Sequence, residues 1–93
     1  MNGDPLQRTV VLRNPNGLHL RPSAAFAELA GRFQSEVTVT HSGRAVNGKS
    51  LWDLISLAAE CGSELLVVVE GPDAHEALER LAELLASVPP PTE

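Results

Sequence analysis

The chain has 93 residues, of which 43% are apolar and one is a cysteine, and its formal net charge is −5. This length suits one small domain with a packed core, and a single cysteine supplies neither a disulfide nor a cysteine-based metal site. An acidic chain without tyrosine argues against general nucleic-acid binding, which needs a basic face. No apolar run approaches the length of a membrane span, and no signal peptide is visible, so we expect a cytoplasmic protein without membrane insertion.

The first part of the chain predicts a strand, a loop and a helix. Residues 6–13 have the alternation of a strand, with Arg8 as an exception on its apolar face. Turn-forming residues at 14–17 predict a loop. A helix is expected from about Pro22 to Phe33, because apolar residues recur there at helical spacing and proline is favoured at the first helical position.

The junction between this loop and this helix is the first candidate site. With Pro22 as the first helical residue, His19 lies at or just before the helix N-terminus. Backbone N–H groups and the helix dipole favour an anion at that position, and Arg21 adds a forked donor suited to phosphate. These features indicate a histidine that carries a phosphoryl group. The alternative for a lone loop histidine is a solvated or capping residue.

The middle of the chain predicts a hairpin followed by a second helix. Residues 36–41 alternate strictly, residues 42–43 form a turn, and residues 44–47 form a short return strand. The second helix is expected to begin after Ser50 and to end with Gly62 as its C-cap. Its buried stripe is predicted to consist of Leu51, Leu54, Ile55 and Ala58.

The last part of the chain predicts a strand at 64–70 and a third helix. Asp73 and Glu76 resemble a capping box at the start of that helix. The proline-rich residues 89–93 are expected to be a disordered tail, which leaves residues 1–88 as one domain. The element order β-α-β-β-α-β-α is typical of an α+β domain with an antiparallel sheet and its helices on one face.

Ser50 and Trp52 form the second candidate site. Ser50 is placed to cap the second helix, a structural role that contributes about 1 kcal/mol. The alternative is a phosphorylation site, where a phosphate would be favoured by the helix dipole. Trp52 falls off the buried stripe, so it either contacts a partner or packs at the edge of the core.

Two runs in the chain resemble the HPr family, the histidine-containing phosphocarriers of the bacterial phosphoenolpyruvate:sugar phosphotransferase system. Residues 17–22 (Gly-Leu-His-Leu-Arg-Pro) and residues 43–50 (Gly-Arg-Ala-Val-Asn-Gly-Lys-Ser) carry the resemblance, at the family's separation. The resemblance implies an open-faced β-sandwich, in which three helices cover one face of a four-stranded antiparallel sheet. It implies a phosphoryl carrier with a phosphohistidine intermediate rather than a turnover enzyme. We expect a monomer without a metal or other cofactor.

The resemblance also implies roles for individual residues. His19 would accept a phosphoryl group on Nδ1 from enzyme I and pass it to EIIA domains for sugar uptake. Arg21 would pair with that group, Leu20 and Arg21 would lend backbone N–H groups, and Asn16 would lie close by. Ser50 would be the regulatory serine that HPr kinase/phosphorylase modifies.

The family's exposed docking patch for partners is matched here by Leu20, Leu51, Trp52 and Ile55. Several positions depart from the family pattern. Leu20 replaces a usual alanine or threonine, Glu28 and Gly31 weaken the positive ring around the site, and Asp53 replaces a small residue. Because charge complementarity influences partner choice, these departures affect which donor and acceptor fit.

Two other functions are weighed beside the phosphocarrier. The first is a regulatory binding module that acts through Ser50 and the Trp52 patch, with a kinase and a transcription factor as partners and no sugar transport. The second is a structural domain with a capping histidine, which leaves both motifs unexplained.

Overall fold

The computed structural model describes residues 4–87, which form one four-stranded antiparallel sheet and three helices. Across the sheet the strands lie in the order β1 (Leu6–Val11), β4 (Glu64–Glu70), β2 (Glu36–His41) and β3 (Arg44–Asn47), so the N-terminal strand lies at one edge and β3 at the other. The predicted element order and the open-faced β-sandwich are confirmed. In chain order the elements are β1 (Leu6–Val11), α1 (Leu20–Gly31), β2 (Glu36–His41), β3 (Arg44–Asn47), α2 (Leu51–Ser56), β4 (Glu64–Glu70) and α3 (Ala74–Ala86).

The core lies between the helices and one face of the sheet. Alternate residues of the central strands point into it, and the most deeply buried are Leu65, Val67 and Val69. The helices cover these side chains with large apolar residues such as Phe26 and Leu81, both fully buried. Because only one face of the sheet is covered, the strands alternate between buried and more exposed positions, as their sequence predicts.

Helix α1 begins earlier than predicted, at Leu20 rather than Pro22, and ends at Gly31 rather than Phe33. Pro22 is therefore the third helical residue. It still lies in the first turn, where its missing N–H costs no intrahelical hydrogen bond. The predicted position of His19 next to the helix is unaffected, because His19 is the N-cap residue.

Helix α2 is shorter than predicted, since it ends at Ser56 and not near Gly62. Ala58, expected on its buried stripe, is exposed and has a φ of 53°, while Leu57 and Ala59 are buried instead. The chain thus leaves helical geometry at Ala58, and the carbonyl of the next residue, Ala59, accepts the Leu18 N–H from outside the helix. Gly62 has a φ of 93° and lies in the turn before β4, so it is not a helix C-cap.

Asp73 is the N-cap residue of α3, but its side chain makes no capping hydrogen bond, and the predicted capping box is wrong. The carboxylate instead accepts the backbone N–H of Gln34 at 2.9 Å and that of Ser35 at 3.0 Å, together with the Ser35 hydroxyl. These hydrogen bonds, led by the one from the Ser35 hydroxyl, lower the pKa of Asp73. The carboxylate therefore fixes the connection between α1 and β2.

Two further sequence predictions concern the ends of the chain. The first strand ends at Val11, two residues before the predicted end, and Leu12 is buried in the connection that follows. The predicted tail at 89–93 lies outside the described residues. Among the described helices, none is long and apolar enough to cross a membrane.

Candidate functional site

His19 is held at the start of α1 by a loop with specific backbone contacts. The Asn14 side-chain oxygen accepts the Asn16 N–H at 3.0 Å, and the Asn14 carbonyl accepts the Gly17 N–H at 2.9 Å. The Leu18 N–H then donates to the Ala59 carbonyl at 2.9 Å, across the space between the loop and the chain after α2. The loop is therefore fixed both internally and to a second segment.

Gly17 is required where the loop meets that second segment. Its φ is 76°, a conformation that side chains with a Cβ rarely adopt, and a Cβ would lie 2.4 Å from the Ala59 carbonyl oxygen. The next residue, Leu18, is almost completely buried. The chain thus approaches the core closely just before His19.

Ser23 fixes the other side of His19. Its buried hydroxyl donates to the Leu18 carbonyl at 3.0 Å, and its N–H donates to the His19 carbonyl at 3.0 Å. These bonds hold the backbone of His19 on both sides, while the imidazole remains exposed. The sequence predicted the exposed histidine but gave no signal for the role of Ser23.

The N-terminus of α1 can receive an anion. No described side chain caps this helix, and its first turn holds no acidic residue. The N–H groups of Leu20 and Arg21 are in the first turn, where the helix itself provides no acceptor carbonyl. An imidazole, two backbone donors and the exposed Arg21 side chain therefore belong to consecutive residues at a position that favours negative charge.

Asn16 lies in the turn of the same loop, three residues before His19, and is exposed. Its backbone N–H is used by the Asn14 side chain at 3.0 Å. The four predicted phosphate-site residues are thus part of one continuous segment, Asn16 in the turn and His19, Leu20 and Arg21 at the start of α1.

Ser50 caps α2, as the capping interpretation predicts. Its hydroxyl accepts the Asp53 N–H at 3.3 Å, and the Asp53 carboxylate accepts the Asn47 N–H at 3.3 Å. Lys49 donates from Nζ to the Phe33 carbonyl at 2.9 Å, so this run is connected to the C-terminal end of α1. At Gly48 a Cβ would lie 2.5 Å from the Val37 side chain, a packing constraint that the sequence alone did not show.

The predicted docking residues differ in exposure. Trp52 is 73% exposed and Leu20 is 57% exposed, which are the two largest values among the exposed large apolar side chains of the described chain. Leu51 and Ile55 are half-buried beside Trp52 on α2. Helices α1 and α2 are in contact, so the exposed apolar residues belong to neighbouring elements.

The fold and the exposed histidine at a helix N-terminus define a small phosphoryl-carrier domain, and comparisons with known proteins identify its family. The sequence model of the family described as "PTS HPr component phosphorylation site" matches residues 6–87. The phosphocarrier protein HPr of Cupriavidus necator is 42% identical over 82 residues, which cover 88% of this chain and 92% of the relative. The chain belongs to the HPr family of phosphocarrier proteins.

Solved structures agree with this assignment. The crystal structure of a phosphocarrier protein HPr from Bacillus anthracis matches with a TM-score of 0.84 and 40% sequence identity. The match covers 87% of this chain and 96% of the Bacillus anthracis chain. A crystal structure of Crh from Bacillus subtilis, described as a swapped dimer, has a TM-score of 0.71 and 41% identity, with coverages of 86% and 92%. Because that relative is a dimer, the expectation of a monomer stays a prediction.

Proposed function

We propose that His19 accepts a phosphoryl group from the phosphohistidine of enzyme I and passes it to an EIIA domain in the cytoplasm. The observation that carries this proposal is the exposed imidazole of His19 at the uncapped N-terminus of α1. A nitrogen of neutral His19 attacks phosphorus in line with the bond to the donor histidine. That N–P bond breaks as the new one forms, and the donor ring leaves with the electron pair.

Charge stabilisation in this transfer is assigned to residues beside His19. The backbone N–H groups of Leu20 and Arg21 and the Arg21 guanidinium face the transferring group, and Asn16 borders it. Such fixed donors stabilise charge without reorganising during the reaction. Both ends of the exchange are histidines, so the transfer is reversible and proceeds without a metal or a nucleotide.

The docking patch for enzyme I and EIIA consists of Leu20, Leu51, Trp52 and Ile55. The high exposure of Leu20 and Trp52 supports this assignment, because large apolar side chains in contact with water are favourable anchors for a partner. On the outer face of α1, Glu28 lies 3.9 Å from Arg32, so the two charges offset each other. We therefore expect a partner surface that relies on apolar contact more than on charge.

Ser50 is proposed as a regulatory phosphorylation site for HPr kinase/phosphorylase. Its hydroxyl already receives the Asp53 N–H, and the Asp53 carboxylate lies on the same turn. A phosphate at Ser50 would add negative charge close to that carboxylate and two residues from Trp52, and so would weaken apolar docking. A second candidate function, a regulator that binds a transcription factor without serving sugar transport, is supported by the likeness to Crh.

Phosphotransfer from labelled phosphoenolpyruvate with purified enzyme I tests the carrier role. The wild-type chain should acquire an acid-labile phosphate and transfer it to EIIA, and His19→Ala should acquire none. Labelling of His19→Ala would contradict the assignment. Labelling of the wild type without transfer to any EIIA would favour the regulatory function.

Incubation with HPr kinase and ATP tests the second site separately. The wild type should gain an acid-stable phosphate and Ser50→Ala should not. An unmodified wild type would remove the regulatory proposal and leave the carrier proposal intact.

A further inference from the structure

An apolar pocket lies beside the candidate phosphate site, between the start of α1 and the end of α3. Its volume is about 220 Å³. The apolar side chains that line it come from three segments: Leu12 after β1, Pro22 and Ala25 of α1, and Leu84 and Leu85 of α3. None of these five residues belongs to the docking patch or to the four residues of the phosphate site. The pocket therefore has no role in the function proposed above.

The walls of this pocket are held in place by the fold. Leu12 and Leu85 are buried in the core, and the Arg13 N–H donates to the Leu85 carbonyl at 3.2 Å. That hydrogen bond joins the segment after β1 to the last turn of α3. On the opposite wall, Pro22 and Ala25 are three residues apart in α1 and so share one face of the helix. The pocket is therefore largely pre-formed, as is usual for small-molecule sites.

The size of the pocket suits a group as large as one aromatic ring. An apolar cavity of about 150 Å³ is large enough to bind benzene. At about 220 Å³, this pocket has room for such a ring and one small substituent. Its apolar walls favour the ring, because burial removes apolar surface from water.

The charge at the pocket selects the substituent. Among the described residues that line it, Arg21 is the only charged one, and a guanidinium matches the geometry of a carboxylate. Asn14 also lines the pocket, and its side-chain oxygen accepts the Asn16 N–H at 3.0 Å. The amide nitrogen is therefore the end of Asn14 that can donate to a ligand. Because no described carboxylate lines the pocket, an anion there is attracted without opposing repulsion.

We propose that this pocket binds a small aromatic monocarboxylate, with its ring between α1 and α3 and its carboxylate on the Arg21 guanidinium. A neutral ring lacks the ion pair, and acetate lacks the apolar contact, so only a molecule with both parts uses the whole site. Arg21 is also the residue that we assign to the phosphoryl group on His19. The bound carboxylate competes with that group and slows phosphotransfer, and this second step alone rests on the proposed function.

Titration of the isotope-labelled full chain with phenylacetate at constant ionic strength, followed by amide chemical shifts, tests the binding site. The amides of Ala25, Leu84 and Leu85 should shift in a saturable way with a Kd of about 1 mM, the range expected of so small a ligand. Phenethyl alcohol, which has the ring without the charge, should bind at least about threefold more weakly. Acetate should produce no saturable shift. Equal affinities for the two aromatic molecules, or shifts centred outside the pocket, would overturn the proposal.

Ala25→Leu fills the pocket with a larger side chain and should raise the Kd for phenylacetate by about tenfold or more, because the ring loses its apolar contact. Ala24→Leu is the matched control, since Ala24 is an exposed residue of the same helix and does not line the pocket. Its Kd should stay within about twofold of the wild-type value. An unchanged Kd in Ala25→Leu, or an equal loss in Ala24→Leu, would contradict the assigned site.

Arg21→Gln tests the charge separately and keeps the proposal testable if Ala25→Leu fails to fold by circular dichroism. It should lower the affinity for phenylacetate to that for phenethyl alcohol and leave the second affinity unchanged. A preference for phenylacetate that persists in folded Arg21→Gln would rule out the ion pair. Binding of phenylacetate only by a chain that ends at Ser87 would make residues 88–93 the occupant of the pocket, and the proposal would then be wrong.

Labelled phosphotransfer from enzyme I tests the competition. At about ten times its Kd, phenylacetate should slow the labelling of dilute wild-type chain by about tenfold. Labelling of Ala25→Leu should hardly be slowed, which controls for an effect on enzyme I itself. Unchanged labelling of the wild type, or equal slowing of Ala25→Leu, would overturn the competition. If enzyme I labels neither protein, the proposed function fails, whereas the titration still decides whether the pocket binds the ligand.

Discussion

The N-termini of α1 and α2 differ in how their backbone donors are used. Helix α2 is closed by its own N-cap residue, since the Ser50 hydroxyl accepts the Asp53 N–H. Helix α1 begins at Leu20, and its N-cap residue His19 provides no side-chain cap, so its first-turn donors remain available to an anion. The cap at α2 therefore contributes to the stability of the protein, whereas α1 lacks that contribution and leaves donors for the phosphoryl group that we propose at His19.

Replacement of His19 tests this difference most severely. His19→Ala should abolish acid-labile phosphorylation by enzyme I completely, because the nucleophile is lost. The free energy of unfolding should change by no more than about 0.5 kcal/mol, since the side chain is exposed and caps nothing. Labelled phosphotransfer and urea unfolding measure the two quantities. A large loss of stability would mean that the imidazole has a structural role.

Gly17→Ala tests the close contact between the loop before His19 and the Ala59 carbonyl. The added Cβ meets the Ala59 carbonyl oxygen and the backbone stays at positive φ, so unfolding free energy should fall by about 2–5 kcal/mol. Gly43→Ala is the matched control, because Gly43 also has positive φ but no atom within 4 Å of a Cβ. It should cost about 1–2 kcal/mol. Equal losses in chemical denaturation would contradict the role of the Ala59 contact.

Ser50→Ala tests the closed terminus of α2. Loss of the hydroxyl should cost about 1 kcal/mol, while Ser50→Gly should cost only a few tenths. Phosphotransfer from enzyme I should be retained in both variants, because neither changes the α1 site. Thermal or urea unfolding measures the first effect and labelling the second. A strong loss of labelling would show that the two termini are not independent.

The N-terminus of α3 is a third case. The carboxylate of its N-cap residue, Asp73, does not cap α3 but accepts hydrogen bonds from the connection between α1 and β2. Its pKa is lowered by hydrogen bonds, first from the Ser35 hydroxyl and then from the Gln34 N–H. Because its folded-state pKa is lowered, ionised Asp73 contributes to the free energy of unfolding. That contribution is fully present above the unfolded-state pKa, about 4, and is lost as pH falls through the folded-state pKa. Wild-type stability should therefore decline more steeply below about pH 4 than that of Asp73→Asn. Parallel slopes in urea unfolding between pH 6 and pH 2 would argue against this contribution.

The sequence predicted most of the fold because its strands are short apolar or alternating runs that lie between turn residues. The strands at 36–41 and 64–70 match the structure residue for residue, since each pattern is bounded by turn residues. The end of α2 was predicted too late, because no turn residue marks the change to positive φ at Ala58, and the segment that follows is held by a bond from the distant Leu18 N–H to the Ala59 carbonyl. Asp73 was misjudged for the same reason, since its hydrogen-bond partners precede it by almost forty residues.

The candidate phosphate site was visible in the sequence because its residues are consecutive. His19, Leu20 and Arg21 need only the start of a helix to come together. The supporting contacts were not visible, because the buried Ser23 hydroxyl and the close approach of Gly17 to Ala59 depend on how the loop packs against the core. The residues of the candidate site could thus be inferred from the order of the sequence, but the contacts that hold them in place could not.

The hydrogen bond between Leu18 and Ala59 also has a consequence for motion. It joins the loop before His19 to the segment that follows α2, so neither can open without breaking a contact to the other. Regions that share such contacts exchange their amide hydrogens as one cooperative unit. Exchange of the Leu18 amide should therefore report the integrity of the segment after α2, and ligands that loosen that segment should be detected at the residue beside His19.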